Sequence, residues 1–181
     1  MYALGMVEVL SIPMGVLAGD AMLKAAQVSL VTAQTVCAGK YIVAVSGDVA
    51  AVKASVEAGV NVVENTLVDS LLIPNVDKRV ISAISGVSVI ENVQAVGVIE
   101  TFSLSAAVQA ADAAVKAANV ELIEVRLGRG MGGKSFVVLT GEVAAVEAAV
   151  AAAENCEETE GMMARSVVIP SPHMDIINAL L

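Results

Sequence analysis

The chain has 181 residues, 57% hydrophobic and only 2% aromatic, with 10 basic residues against 19 acidic ones and a net charge of −9. A mean hydropathy of +0.80 excludes a disordered chain, which is poor in apolar residues. With no basic cluster, there is no footprint for nucleic acid, because phosphate contacts need Lys and Arg on one face.

The longest uncharged stretch, residues 25–39, carries Gln, Ser and Thr and falls short of the ~18 apolar residues a membrane span needs; no membrane partner is expected. The N-terminal stretch lacks a basic segment and meets Glu8 early, so it does not read as a secretory signal, and a cytoplasmic location is expected. So many small apolar side chains in units this size point to subunit association as the way to bury the excess.

In chain order, residues 3–10 read as a strand and 13–27 as a helix, with Ser11 as cap and Pro13 in the first turn. Residues 30–36 and 41–46 read as strands, 48–58 as a helix capped by Asp48 and closed by Gly59, and 70–73 as a short strand. The order is β-α-β-β-α-β, an α+β sandwich with helices covering one face of a sheet.

The same order then recurs. "ALGMVEVLSIPMGVLAGDAMLKAAQVSLV" from Ala3 lies over "AVGVIETFSLSAAVQAADAAVKAANVELI" from Ala95, pairing Gly5 with Gly97, Glu8 with Glu100, Ser11 with Ser103, Asp20 with Asp112 and Lys24 with Lys116. After two extra residues in the second copy, "GKYIVAVSGDVAAV" from Gly39 matches "GKSFVVLTGEVAAV" from Gly133, and "SLLIP" from Ser70 matches "SVVIP" from Ser166. The chain is a tandem duplication, with one domain over residues 1–90 and the other over 91–181.

Within the second copy, "GRGMGGKS" (128–135) fits the phosphate-loop pattern G-x-x-x-x-G-K-[ST]. A phosphate loop sits between a strand and a helix whose N-terminus faces the phosphates. Here residues 120–126 and 136–140 both read as strands and the next helix begins only at Glu142, so the match reads as the tip of a hairpin-like connection.

The repeated "DAMLKAA" and "DAAVKAANV", the "GK" strand entry, "SGDVAAV" and the closing "VIPSPH" resemble the bacterial microcompartment (BMC) shell domain. Two copies in unpermuted order resemble the tandem, trimer-forming members of that family. "VTAQTVCAGKY", the "GRGMGGK" insertion, "LVDSLLIPNV" and "QAVGVIET" are most similar to the iron–sulfur shell proteins of propanediol-utilisation compartments.

The resemblance implies a homotrimeric, pseudohexameric tile in a microcompartment shell, not an enzyme. Its central pore would be lined by Val36, Cys37, Ala38 and Gly39 from the first copy and by Gly130, Met131, Gly132 and Gly133 from the second. Lys24 and Lys116 would lie at tile edges against other shell proteins, although Ser171 stands where the family commonly has an edge arginine. Only Cys37 and Cys156 are present and no C-x-x-C spacing occurs, so one chain cannot complete a cluster or zinc site. Threefold symmetry would supply three Cys37 thiolates to one [4Fe–4S] cluster per trimer. That would serve electron transfer across the shell or cluster supply, with a lumenal or cytosolic redox enzyme as a further partner. A zinc site, and a metal-free tile whose open pore passes small metabolites, remain alternatives.

Cys156, in the acidic run 154–160, reads as a solvated loop residue, and the lone His173 as structural, at the start of a last helix. No Ser/His/Asp, paired-carboxylate or H-E-x-x-H arrangement stands out.

Overall fold

The computed structural model describes residues 2–181. The chain forms two compact units. One runs through Ile81 and takes in Arg129–Gly133; the other comprises Ser82–Gly128 and Lys134–Leu181.

In the first repeat the elements are β1 (Ala3–Val9), α1 (Ile12–Ala25), β2 (Ser29–Val36), β3 (Lys40–Gly47), α2 (Val49–Val62) and β4 (Leu67–Ile73), followed by α3 (Lys78–Ile84). The strands form an antiparallel sheet in the order β2-β3-β1-β4. Period-two alternation along β1 turns Ala3, Val7 and Val9 toward the helices, where they pack with Ala18 and Met22 of α1 and Val52 and Val56 of α2.

The second repeat reproduces this plan with β5 (Ala95–Thr101), α4 (Leu104–Ala117), β6 (Glu121–Leu127), β7 (Ser135–Gly141), α5 (Val143–Glu154), β8 (Met163–Ile169) and α6 (Met174–Leu180). Its sheet order is β6-β7-β5-β8. On one side of that sheet, Val96, Ile123 and Val138 pack under Ile90, Val93 and Leu180.

The β-α-β-β-α-β order is as the periodicity predicts, but three details differ. Gly59 does not close α2: it lies inside the helix against α1, where a Cβ would stand 2.6 Å from Met22 Cγ, so close helix packing rather than chain reversal requires a glycine there. Asp48 and Ser11 occupy N-cap positions without a side-chain capping bond, whereas the repeat partner Ser103 does accept the Ala106 N–H at 3.1 Å. Helix α3 was not foreseen; Asp77 Oδ1 starts it by accepting the Arg79 N–H at 2.9 Å.

Gly5 and Gly97 hold equivalent places on β1 and β5, yet their neighbours stand at different distances. A Cβ on Gly5 would meet Val56 Cγ2 at 2.5 Å and Val52 Cγ1 at 2.7 Å, whereas on Gly97 it would meet Leu139 Cδ1 at 2.9 Å and Val146 Cγ1 and Val150 Cγ2 at 3.0 Å. Stiff β-branched valines crowd both positions, but the clash at Gly5 is closer by 0.3–0.5 Å, so Gly5→Ala should lower unfolding stability by about 1–3 kcal/mol. Gly97→Ala should cost less, and denaturant titration followed by circular dichroism measures both.

Candidate functional site

Cys37 sits where β2 hands over to β3. Val36 closes β2, is buried and pairs with Lys40, so the chain reverses over Cys37–Gly39. That reversal forces Ala38 to φ 59° and Gly39 to φ 72°; a left-handed alanine costs about 1–3 kcal/mol, and such strain persists only where its surroundings hold it. One such restraint is Lys40, whose ammonium meets the buried carboxylate of Glu8 on β1.

The loop Gly128–Lys134 joins β6 to β7, whose register closes at Leu127 and Ser135. Gly128, Gly130 and Gly132 have φ of 59°, 71° and 63°, while the intervening Arg129 and Met131 do not have positive φ. Alternation of this kind makes a backbone nest, in which successive N–H groups turn toward a common anion. Here the N–H of Met131 donates to Cys37 Sγ at 3.2 Å. Hydrogen bonding from the backbone of Gly133, then Met131, and further from Gly132 and Gly130, holds the Cys37 thiol below its ordinary pKa against an opposing desolvation effect.

Cys37 and the second copy's Gly130–Gly133 thus come together within the first compact unit. The phosphate-binding reading fails on geometry: two antiparallel strands flank the loop, and Lys134 is engaged by Glu100 at 3.2 Å with the Phe102 ring 5.8 Å away.

The remaining candidates lie elsewhere. Cys156, partly exposed, follows α5; burial first, and then its hydrogen bond to Glu158 at 3.2 Å, push its thiol up. His173 caps α6, its Nδ1 accepting the Asp175 N–H at 3.2 Å. Lys24, exposed near the end of α1, pairs with Asp20 at 2.6 Å, and Lys116 pairs with Asp112 in the equivalent turn of α4. Among the described residues no group of three His, Cys, Asp or Glu could hold a metal ion, and no helix is long and apolar enough to cross a membrane.

The BMC domain model matches residues 3–76 and again residues 95–172. The chain belongs to the BMC-domain family. This BMC chain is 43% identical to the bacterial microcompartment shell protein PduT of Citrobacter freundii, over 94% of its own length and 93% of the relative's. It is 31% identical to the carboxysome assembly protein CcmO of Synechococcus elongatus, over 98% of its length and 68% of that protein. Its fold superposes on the crystal structure of a microcompartment protein from Desulfitobacterium hafniense with a TM-score of 0.95 and 49% identity, covering 98% and 99% of the two chains.

The donation from Met131 to Cys37 escaped sequence reasoning, because the partners are 94 positions apart. The Glu8–Lys40 and Glu100–Lys134 pairs also went unread, although both recur in the duplication; a Glu inside an apolar strand was the available signal.

The two thiols are expected to titrate apart. Donors to sulfur favour thiolate, so alkylation of Cys37 by iodoacetamide in metal-free protein should rise at a pH below the ordinary thiol range. Alkylation of Cys156 should rise above that range. Mass-spectrometric footprinting across pH reads both sites at once, and a common midpoint would contradict the hydrogen bonding described here.

Proposed function

We propose that this chain is a bacterial microcompartment shell tile, assembling as a cyclic trimer whose Cys37 residues together hold one [4Fe–4S] cluster. Family membership over both repeats carries the coarse role, that of a shell protein. The finer reading is supported by Cys37: a partly exposed thiol disposed toward thiolate, the form in which cysteine binds iron. One chain offers a single thiolate there, so the residues fit such a cluster only when a closed symmetry axis brings three together. When bound, the cluster would supply an electron-transfer centre, with a redox enzyme on one side of the shell as partner, or a store for cluster supply.

A trimer is supported by an inequality between the repeats. Ile12, Val16 and Leu23 on α1 are 43%, 56% and 41% exposed, while their counterparts Leu104, Val108 and Val115 on α4 are 1%, 0% and 4% exposed. The spacing is helical, so the exposed residues form one apolar stripe. A head-to-tail ring covers the wet copy of such a face with the next chain and leaves no copy unpaired. Exposed Lys24 would then serve an outer edge, together with Lys116, toward other shell proteins.

Purified without oxygen, the wild type should contain roughly four irons and four acid-labile sulfides per trimer. Cys37→Ser should lose both and remain trimeric, and Cys156→Ser should lose neither. Iron retained by Cys37→Ser sinks the assignment; iron absent from the wild type favours an open pore for small metabolites.

The stripe has its own test. Val16→Glu combined with Leu23→Glu should shift sedimentation from trimer toward monomer while the circular-dichroism spectrum stays that of a folded chain. A variant that sediments as the wild-type trimer would show that this face is not the interface.

A further inference from the structure

The longer loop of the second repeat has a role that the phosphate-loop pattern misnames. It is two residues longer than its first-repeat counterpart, and its glycines do not make room for neighbours: a Cβ on Gly130, Gly132 or Gly133 would meet nothing within 4 Å. What those glycines supply is backbone direction, since φ of 71°, 63° and 92° turns the chain in ways that L side chains resist. The direction obtained aims the Met131 N–H at Cys37 Sγ, 3.2 Å away. By contrast the hairpin tip of the first repeat, Cys37–Gly39, carries the sulfur. Duplication has produced two equivalent tips, and divergence has made one an acceptor and the other a set of donors.

We propose that the loop Gly128–Gly133 is a positioning device, whose Met131 N–H holds the Cys37 sulfur in place and sets the reduction potential of the cluster bound there. This rests on the cluster reading above. The physical reason is charge. Reduction puts additional negative charge on the sulfurs, and an N–H donor stabilises that charge, so donors raise the potential of the couple, while their loss lowers it. A donor on backbone rather than side chain keeps a fixed direction, so the sulfur also loses rotational freedom before any iron arrives.

Three variants separate the N–H from everything else about the loop. Met131→Pro removes the donor at a position outside the left-handed region. Met131→Ala removes the side chain and keeps the donor. Deleting Gly130 with Met131 returns the loop to the length of its first-repeat counterpart. Dye-mediated redox titration of the anaerobic proteins should place Met131→Pro and the deletion at lower potential than wild type, with faster iron loss to a chelator, and Met131→Ala should restore both readouts toward wild type. Amide hydrogen exchange gives a second, iron-free measurement: in apoprotein the peptide containing Met131 should exchange faster in Cys37→Ala than in wild type.

If Met131→Pro binds iron with the wild-type potential and retention, the inference is overturned while the cluster assignment stands. If the wild type binds no iron, the cluster assignment and the potential-setting role fall together, and exchange alone decides whether the loop holds the sulfur. Equal exchange in wild type and Cys37→Ala overturns that hold as well. Should the deletion variant fail to fold, the Met131→Pro and Met131→Ala pair still decides.

Discussion

A sulfur atom and a backbone N–H separated by 94 positions in the chain meet at 3.2 Å, and the lowered pKa of the Cys37 thiol owes part of its cause to that meeting. Sulfur is a large, diffuse acceptor, and N–H groups turned toward it favour its charged form. A glycine-rich tip provides them, because alternating φ turns consecutive N–H groups to one side. The pattern that resembles a phosphate loop therefore does describe an anion cradle. What it faces is the protein's own Cys37 sulfur, whose thiol it holds below its ordinary pKa.

The two hairpins are backed by ion pairs of different burial. Behind Cys37, Lys40 is paired with a Glu8 carboxylate that is only 2% exposed. Removing either partner would leave a buried charge uncompensated, a cost of about 3–5 kcal/mol, so the sulfur-bearing turn is anchored to the middle of its sheet. Behind the donor loop the equivalent pair, Lys134 and Glu100, has both side chains about 40% exposed, where ion pairs are worth little. The hairpin backed by the buried pair is the one that carries Cys37.

Similar asymmetry governs the helices. Gly15, Ala18, Gly19 and Met22 form the buried side of α1, while α4 is buried almost throughout and rich in alanine. Equivalent sequence positions thus meet different surroundings, and the apolar stripe of α1 is the remainder. An apolar surface left uncovered at equivalent positions on every copy favours closed association over a free monomer.

Much was legible in the sequence. The duplication, the element order and the hairpin nature of 128–135 follow from periodicity and from matched residues such as Gly5 with Gly97 and Lys24 with Lys116, because local pattern and backbone preference act over a few neighbours. Cys37 could be singled out from its flanking motif. What sequence could not supply was where Gly59 lies, since a glycine that ends a helix and one that admits Met22 look alike in one dimension. Nor could it supply the partner of Cys37 or the unequal burial of α1 and α4. Those depend on which surfaces the folded chain brings within a few ångströms, and spacing along the chain carries no record of distance in space. The sequence alone determined two copies of one fold and a cysteine at a hairpin tip. Only the tertiary structure decided that the other copy's tip bends over that cysteine with its N–H groups inward.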